Sequence, residues 1–317
     1  MTELILHIGR HKTGTTAIQR FLAANRDWLA QYGYTYPKTG VRGYGHHHIA
    51  ESMPKRKFGI MNAREARDLT SRLLEEIGAS SGLKPILSSE AFQQCPPWIV
   101  RHYLRPKKCK VIVYLRNHLS YLPSAYTQKV HATGYSGTLQ DFYEELYKRT
   151  DYLKFVKRWE RAFPGRVNLR IYDKPLLFRE NIVLDFIRHA LDIQEEKVSP
   201  DQLPPGDANP SLNEKVVQFK RHINETGEVA RYSGKGLYRA LPKLNQLFPA
   251  PKLTATPELA SSLIKHNARR DRIVARTYFG KEALFDYESE PTNEQREISA
   301  NEIAAMRKRL DEILSGN

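Results

Sequence analysis

Apolar residues along the chain follow two different spacings, and each spacing predicts one kind of secondary structure. Short apolar runs predict buried strands, and they fall at residues 4–8, 84–90, 110–115 and 167–173. Apolar residues at intervals of three and four predict amphipathic helices, and these fall at residues 17–32, 62–78, 139–163 and 181–191. Strands that alternate with helices are typical of α/β proteins. We therefore predict a three-layer α/β fold in which helices flank a central, mostly parallel sheet.

The last third of the chain has a different pattern. Residues 199–210 form a proline-rich segment, which is typical of a loop, and helical spacing dominates after it. We predict a single domain over residues 1–317, with a sheet-containing core at 1–198 and a mainly helical extension at 199–317. The final helix, at about 294–314, is charged with sparse apolar positions. It packs on the outside of the molecule or forms a homodimer contact.

The chain is strongly basic. Its 317 residues include 50 Lys and Arg against 35 Asp and Glu, a formal net charge of +15. A field of this sign attracts polyanions, and a charged nucleotide, an acidic glycan, an anionic membrane face or nucleic acid would all fit it. There is no zinc-finger spacing, no RNP-like aromatic motif and no block of five or more like charges. No specific nucleic-acid partner is therefore predicted, and peripheral contact with an anionic membrane is left open.

Neither a membrane span nor a secretion signal is evident in the sequence. No apolar run approaches the ~18 residues of a membrane-spanning helix, and Leu4–Ile8 is too short for the core of a signal peptide. Cys95 and Cys109, the two cysteines, have neither metal-ligand spacing nor a disulfide framework, as expected in a reducing compartment. We therefore expect a cytoplasmic protein, with the inner membrane face as a second place of action, and no required metal.

The segment Gly9–Thr16 carries the clearest chemistry. It joins the first strand to the first helix and contains two glycines, one lysine and three threonines. Glycines let successive backbone N–H groups converge, and a helix N-terminus adds unsatisfied donors and partial positive charge. Gly9 and Gly14 have the span of a Walker A loop, but Thr15 stands where that loop has its lysine. The lysine of this segment, Lys12, precedes Gly14, so the loop is predicted to bind an anion differently from an ATPase loop.

The stretch HKTGTT within this segment resembles the 5′-phosphosulfate-binding loop of sulfotransferases that use 3′-phosphoadenosine 5′-phosphosulfate (PAPS). The resemblance implies a P-loop-like fold, PAPS as the donor co-substrate and 3′-phosphoadenosine 5′-phosphate (PAP) as the product. The donor-binding residues that it implies in this loop are Arg10, His11, Lys12, Thr13, Gly14, Thr15 and Thr16.

A second motif follows the strand predicted at 110–115. Arg116 ends that strand, and Ser124 comes eight residues later, in an S-x-Y context with Tyr126. The sulfotransferases hold the 3′-phosphate of PAPS with an arginine and a serine at this spacing. A guanidinium offers a planar fork for phosphate oxygens, and a serine hydroxyl supplies a further donor. The resemblance therefore implies that Arg116 and Ser124 bind the 3′-phosphate.

Weaker matches to the same family single out two further residues. Tyr172, at a predicted strand end, matches a tyrosine that lies near the nucleotide base in the family, although Lys174 departs from the family pattern. Lys235, which precedes Gly236, matches a late loop that closes over the 3′-phosphate. The resemblance thus implies that Tyr172 and Lys235 also contact the donor.

Sulfuryl transfer moves an SO3 group from a phosphate leaving group to an acceptor, in analogy with phosphoryl transfer. Positive charge is needed at the bridging oxygen, and Lys12 with the amides of residues 12–16 is predicted to supply it. A base is needed beside the acceptor. Glu90 follows a predicted strand, and His47 lies in the cluster His46–His48. Both are candidates for that base, and Glu90 is favoured over His47.

By fold-level analogy with bacterial glycan-modifying sulfotransferases, the predicted acceptor is a hydroxyl of a carbohydrate or glycolipid, with an amine left open. Two alternative functions remain at this point. One is a P-loop kinase of a small molecule, using ATP and Mg²⁺, against which Thr15 argues. The other is a basic, non-enzymatic nucleic-acid-binding protein, which the net charge by itself would fit.

Overall fold

The computed structural model describes residues 3–9, 12–53, 63–80, 82–147, 150–204 and 211–316. The chain forms two compact units. Unit 1 consists of Met1–Arg116 and Tyr152–Pro205, and unit 2 consists of Asn117–Asp151 and Gly206–Asn317. The sequence analysis assigned residues 117–151 to the sheet-containing core, whereas in the structure they belong to unit 2. The single domain stays a prediction.

Unit 1 is built on a parallel sheet. Its strands in the described residues are β1 (Leu4–His7), β2 (Tyr34–Thr35), β3 (Lys84–Ser88), β4 (Cys109–Leu115) and β5 (Val167–Ile171). They are arranged in the order β2-β3-β1-β4-β5, and every pair is parallel. Ile5 of β1 pairs with Ile86 of β3 on one side and with Lys110 of β4 on the other. The predicted α/β fold with a mostly parallel sheet is confirmed.

Helices account for most of the remaining described structure. In chain order they are α1 (Thr15–Ala24), α2 (Arg26–Gln31), α3 (His47–Ser52), α4 (Ala63–Ala79), α5 (Pro97–Leu104), α6 (His118–Ala132), α7 (Leu139–Leu146), α8 (Tyr152–Ala162), α9 (Ile182–Ala190), α10 (Glu214–Glu225), α11 (Gly234–Leu247), α12 (Pro257–Val274) and α13 (Ala300–Ser315). Helices α6, α7 and α10 to α13 belong to unit 2, and the others belong to unit 1. No helix in the described parts of the chain combines the length and the apolar character needed to cross a membrane.

Both faces of the sheet in unit 1 are covered. Ile5 and Ile112 pack in one apolar cluster with Phe21 of α1 and Phe186 of α9. Successive side chains of a strand point to opposite faces, and Leu6, the neighbour of Ile5, is also fully buried. The continuous apolar runs in the sequence follow from this burial on both faces.

The position of β1 in the sheet determines where a ligand can enter. After β1 the chain crosses to β2 and β3 on one side of it, and it then crosses back to β4 and β5 on the other side. Ligands of open α/β sheets bind outside the carboxyl ends of the strands, at the point where the strand order reverses. The loop after β1 and the residue after β4, Arg116, lie at that point.

Two helices predicted as continuous are each divided into two. The helix predicted at 17–32 is broken at Asn25, whose side-chain amide donates to the carbonyl of Phe21 at 2.9 Å. The helix predicted at 139–163 is divided into α7 and α8, between which the Thr150 hydroxyl donates to the carbonyl of Tyr147 at 2.6 Å. This second break falls where the chain passes from unit 2 back to unit 1.

Unit 2 has a core of its own. Apolar residues of α6 and α7 pack in one cluster with residues of α10 to α13. Buried members include Leu122 of α6, Phe142 of α7, Phe219 of α10 and Met306 of α13. The segment 117–151 therefore completes the helical core, as its apolar spacing requires.

A buried carboxylate fixes α9 to the edge of the sheet. Asp185 of α9 is buried and accepts bonds from both Nε and Nη2 of Arg170 at 2.6 Å. It also accepts from the Tyr114 hydroxyl at 2.7 Å and from the Phe178 amide at 3.0 Å. Burial raises the pKa of Asp185, but the bonds from Arg170, Phe178 and Tyr114 outweigh burial, and its pKa lies below its ordinary value.

Replacing Asp185 by asparagine is expected to lower the free energy of unfolding by roughly 3 kcal/mol. This value lies near the lower end of the range for removing one partner of a buried ion pair, because Arg170 retains access to water. The carboxylate stabilises the fold above its unfolded pKa of about 3.9, and this contribution is lost as the pH falls through the lower folded pKa. Urea unfolding at neutral and acidic pH measures both effects. A wild-type and a variant protein that lose equal stability on acidification would contradict the assignment.

Candidate functional site

The loop after β1 has a backbone suited to anion binding. Lys12 has φ 65° and Gly14 has φ 69°, while Thr13 between them is not left-handed. Alternation of left-handed and other conformations turns successive N–H groups toward one concavity, which is the geometry of an anion-binding nest. A lysine in the left-handed region is uncommon and indicates a backbone that the surrounding structure holds in place.

Both glycines of this loop are required by close contacts. A Cβ on Gly9 would lie 2.4 Å from Oγ1 of Thr15. A Cβ on Gly14 would lie 3.0 Å from Cε2 of Tyr172 and 3.0 Å from Cγ1 of Ile182. The loop is therefore packed against its own helix start on one side and against the residues near β5 and α9 on the other.

Helix α1 begins directly after the loop without an acidic residue. Gly14 is its N-cap and offers no side chain to the first amides, and the first turn contains no Asp or Glu. The Gly14 carbonyl accepts from the amides of Ala17 and Ile18. Since the N-terminus of a helix carries partial positive charge, the loop and helix together favour an anion.

Arg116 brings a second cation to the loop. Its Nη1 donates to the carbonyl of Lys12 at 2.6 Å, and its guanidinium lies 5.6 Å from the centre of the Tyr172 ring. Its own carbonyl accepts from the Tyr152 hydroxyl at 2.5 Å, and the Tyr172 amide donates to the Leu115 carbonyl at 2.6 Å. The structure thus brings together Lys12, Gly14, Arg116 and Tyr172.

The remaining residues predicted to bind the donor are placed differently. Arg10 and His11 lie outside the described residues. Thr13 is buried in the loop, Thr15 is buried at the start of α1, and Thr16 is exposed in the first turn of α1. In unit 2, Ser124 is half-buried on α6, and Lys235 is exposed in the first turn of α11, where the sequence had predicted a flexible loop. The roles of Ser124 and Lys235 stay predictions.

Glu90 and His47, the two residues predicted as the base, lie beside each other. Oε2 of Glu90 lies 3.9 Å from Nδ1 of His47, and the same nitrogen is hydrogen-bonded to Oγ of Ser89 at 2.9 Å. Ser89 caps the short 3-10 helix Glu90–Gln94 by accepting from the amide of Ala91. The side chains of His47 and Glu90 remain 19% and 30% exposed, so both are accessible from solvent.

The three adjacent histidines have three different environments. His46 is buried: its Nδ1 accepts from the Ser88 amide and its Nε2 donates to the Pro37 carbonyl. Burial lowers the pKa of His46 to about 4, against the opposing effect of the Pro37 bond. His48 is exposed and paired with Glu65 at 2.9 Å. His47 is therefore the member of the cluster that faces Glu90, and within the described ranges no group of three or more side chains is placed to hold a metal ion.

Gln19 connects the loop to Glu90, and the sequence analysis missed it. Its buried amide nitrogen donates to Oε2 of Glu90 at 3.3 Å and to Oγ of Ser88 at 3.3 Å. Residues four apart on a helix lie on one face, so Gln19 lies one turn after Thr15. This spacing is the signal by which the sequence could have indicated a polar residue beside the anion loop.

The strand ends beneath the site are joined by a buried histidine. Nδ1 of His7 is hydrogen-bonded to Oγ of Ser88 at 2.8 Å, and the His7 carbonyl accepts from the Ser89 amide at 3.1 Å. Burial lowers the pKa of His7 to about 3, so the ring is neutral at physiological pH. The ends of β1 and β3 are therefore fixed relative to each other, and with them the loop and Glu90.

No family model matches this sequence. A protein of Archaeoglobus fulgidus described as uncharacterized is 32% identical to the chain over 144 residues, which make up 44% of this chain and 38% of that protein. The chain thus spans less than half the length of this relative, and the similarity carries no activity with it.

The sequence predicts that this loop binds PAP, and on that prediction Gly14→Ala is expected to weaken PAP binding because the new Cβ would displace Tyr172 and Ile182. The left-handed backbone itself costs alanine roughly 1–2 kcal/mol. Gly33→Ala is the matched control, since Gly33 has φ 81° and no atom within 4 Å of its Cβ position. Denaturant unfolding should show the left-handed penalty in both variants and a larger loss in Gly14→Ala, where the new Cβ also meets Tyr172 and Ile182. Calorimetry should show weaker PAP binding in Gly14→Ala alone. Equal PAP affinity in the two variants would contradict a role of the loop.

Proposed function

We propose that this chain is a PAPS-dependent sulfotransferase. The observation that carries the proposal is the bond from Arg116 to the carbonyl of Lys12, which joins two cationic residues at the carboxyl ends of adjacent parallel strands. PAPS carries two separate anionic groups, a 5′-phosphosulfate and a 3′-phosphate. A nest at a helix N-terminus with a second cation beside it fits a ligand of this kind.

The donor-binding roles follow from the placement of each group. The amides of residues 12–16 and Lys12 would hold the 5′-phosphosulfate, because the loop and the start of α1 converge there. Arg116 would hold the 3′-phosphate through its planar fork of donors. Tyr172, which lies against Gly14 and beneath Arg116, would contact the nucleotide between them.

In the transfer step, the acceptor oxygen forms a bond to sulfur as the bond from sulfur to the phosphate oxygen breaks. The acceptor proton goes to the base, and PAP leaves with the bonding electron pair. Negative charge grows on the leaving phosphate, so the largest contribution is expected from Lys12 and the loop amides. No metal ion is proposed, because the sulfuryl group carries less negative charge than the γ-phosphate that Mg²⁺ neutralises in phosphoryl transfer.

Glu90 is the proposed base. Its Oε2 is held by Gln19, one helical turn from the loop, and its side chain reaches solvent. Nδ1 of His47 is already hydrogen-bonded to Ser89, which favours a supporting role for His47 beside the acceptor. A general base contributes typically about 10²–10⁴-fold to such a step.

The proposed acceptor is a hydroxyl of a carbohydrate or glycolipid, and an amine remains the alternative. The proposal rests on fold-level analogy and on the net charge of +15, which favours an anionic acceptor or an anionic membrane face as its source. Action in the cytoplasm is proposed because Cys95 and Cys109 are buried and have no disulfide framework, as expected in a reducing compartment.

A P-loop kinase is disfavoured by the position of Thr15. The phosphate-binding lysine of a Walker A loop is replaced by this threonine, whose side chain is packed against Gly9.

Calorimetric titration separates the three functions. A sulfotransferase should bind PAP more tightly than AMP, since the 3′-phosphate adds a charge-assisted contact worth about tenfold or more in affinity. A kinase should prefer ATP with Mg²⁺, and a nucleic-acid-binding protein should bind an oligonucleotide with a steep salt dependence. Equal affinities for PAP and AMP would rule out the proposed function.

A further inference from the structure

A pair of residues beside the proposed base, the partly buried Arg20 and the exposed Tyr44, is left without a role by the proposed reaction. The guanidinium of Arg20 lies over the ring of Tyr44, 5.3 Å from its centre, and Tyr44 is 46% exposed. The Tyr44 carbonyl accepts from the Tyr36 hydroxyl at 2.8 Å, and the Arg42 amide donates to the Gly45 carbonyl at 2.9 Å. The turn that presents Tyr44 is therefore held at both ends.

Two neighbouring contacts place this pair next to Glu90. Arg20 follows Gln19 on α1, and Tyr44 precedes Gly45 on the turn. A Cβ on Gly45 would lie 2.6 Å from Nε2 of Gln19, the same nitrogen that donates to Glu90. The pairs Gln19–Gly45 and Arg20–Tyr44 thus lie side by side, and the Arg20–Tyr44 pair borders the place where an acceptor must meet its base.

Arg20 has unused hydrogen-bonding capacity. No hydrogen bond or salt bridge from Arg20 is found among the described residues. Its Nε is buried and cannot meet a ligand, so the two terminal Nη groups are the donors available for one. A guanidinium that is already held against an aromatic ring has little conformational freedom left to lose. It can therefore bind a planar anion at low entropic cost.

We propose that Arg20 and Tyr44 form a subsite for an acidic sugar, in which Tyr44 contacts the ring of the sugar and Arg20 binds its carboxylate. A carboxylate matches the planar fork of arginine in two parallel bonds, and the exposed tyrosine ring offers an apolar surface to the sugar. The subsite deepens the proposed function, on which it rests, because it assigns a uronic-acid-containing acceptor to the site with Glu90.

The test measures sugar binding separately from nucleotide binding. The probes are a tetrasaccharide of alternating glucuronic acid and N-acetylglucosamine, and the same tetrasaccharide with its carboxyl groups reduced to alcohols. Each is titrated into the full chain with and without PAP. The wild-type protein should prefer the carboxylated probe by about tenfold or more, as expected for charge-assisted hydrogen bonds.

Three variants test the two residues. Arg20→Gln should lose the preference for the carboxylated probe, Arg20→Lys should keep part of it, and Tyr44→Ala should weaken binding of both probes. The matched control is Arg42→Gln, which removes one positive charge from the same turn, where Arg42 pairs with Glu51 at 2.5 Å. Its affinities should stay within about twofold of the wild type, since an exposed charge is screened by salt.

The subsite would be overturned if neither probe bound, if both bound equally, or if Arg20→Gln kept the preference. The PAP titration reports on the proposed function independently: PAP binding no tighter than AMP binding would refute the sulfotransferase, while the preference between the two sugars is read without nucleotide. Failure of one proposal is thus distinguishable from failure of the other.

Discussion

Replacing Glu90 by glutamine is expected to lower the rate of sulfuryl transfer by roughly 10²–10⁴-fold, the usual contribution of a general base. Glutamine keeps the shape of Glu90 and can still accept the bond from Gln19, which joins the two side chains at 3.3 Å. The affinity for PAP should therefore remain unchanged. The measurements are transfer of labelled sulfur from PAPS to a mixed polysaccharide and glycolipid fraction, and calorimetry with PAP.

His47→Ala is the comparison that assigns the base. Because Nδ1 of His47 lies 3.9 Å from Glu90 and 2.9 Å from Ser89, its removal is expected to slow transfer much less than Glu90→Gln does. A large loss in His47→Ala together with a small loss in Glu90→Gln would reverse the assignment and make His47 the base.

Removing the side chain of Lys12 is expected to lower the transfer rate by roughly 10²–10³-fold, as for loss of one group that stabilises charge in a transition state. The backbone of Lys12 has φ 65°, so two replacements separate charge from conformation. Lys12→Ala keeps the left-handed strain, whereas Lys12→Gly removes a strain of about 1 kcal/mol. Both should lose activity, and Lys12→Gly should be the more stable of the two to urea.

Lys38→Ala serves as the control for the loss of one positive charge, since Lys38 is exposed in unit 1 and outside the loop. Its transfer rate should match that of the wild type. If Lys12→Gly kept full activity, the geometry of the loop would be all that matters, and a role of the Lys12 ammonium in the reaction would be excluded.

The sheet could be predicted because its strands are buried on both faces. A continuous β-branched run such as that of β4 is typical of a strand buried in a parallel sheet. The predicted strand, at 110–115, differs from β4 by one residue at its start. The site was predictable where its geometry is local. Gly9, Lys12 and Gly14 lie within six residues, and their spacing alone predicts a loop between a strand and a helix.

Contacts between distant segments were beyond the reach of the sequence. Gln19 contacts Glu90 across 71 positions, and His47 contacts Ser89 across 42. Nothing in the local pattern distinguishes His46, which is buried, from His48, which is exposed. Their difference arises because their side chains point in different directions at the start of α3, and what lies in each direction depends on the folded chain.

The division of the chain into units has the same cause. Apolar spacing predicted a helix at 139–163 but could not indicate which core each part of it would join. The prediction of one continuous helix at 139–163 was wrong. The apolar residues of α7 and α8 have similar helical spacing, so the sequence did not show that α7 packs in unit 2 and α8 in unit 1.

The passage of the chain out of unit 1 after Arg116 and back at Tyr152 has a consequence for synthesis on the ribosome. β4 emerges early, but its partner β5 emerges only after α6 and α7. Helices α6 and α7 must in turn wait for α10 to α13, which supply the rest of their core. Until then Leu122 and Phe142 have no apolar partners from the C-terminal helices, and exposed apolar surface of this kind favours aggregation. The segment 117–151 is therefore expected to depend on protection from aggregation until the C-terminal helices have emerged.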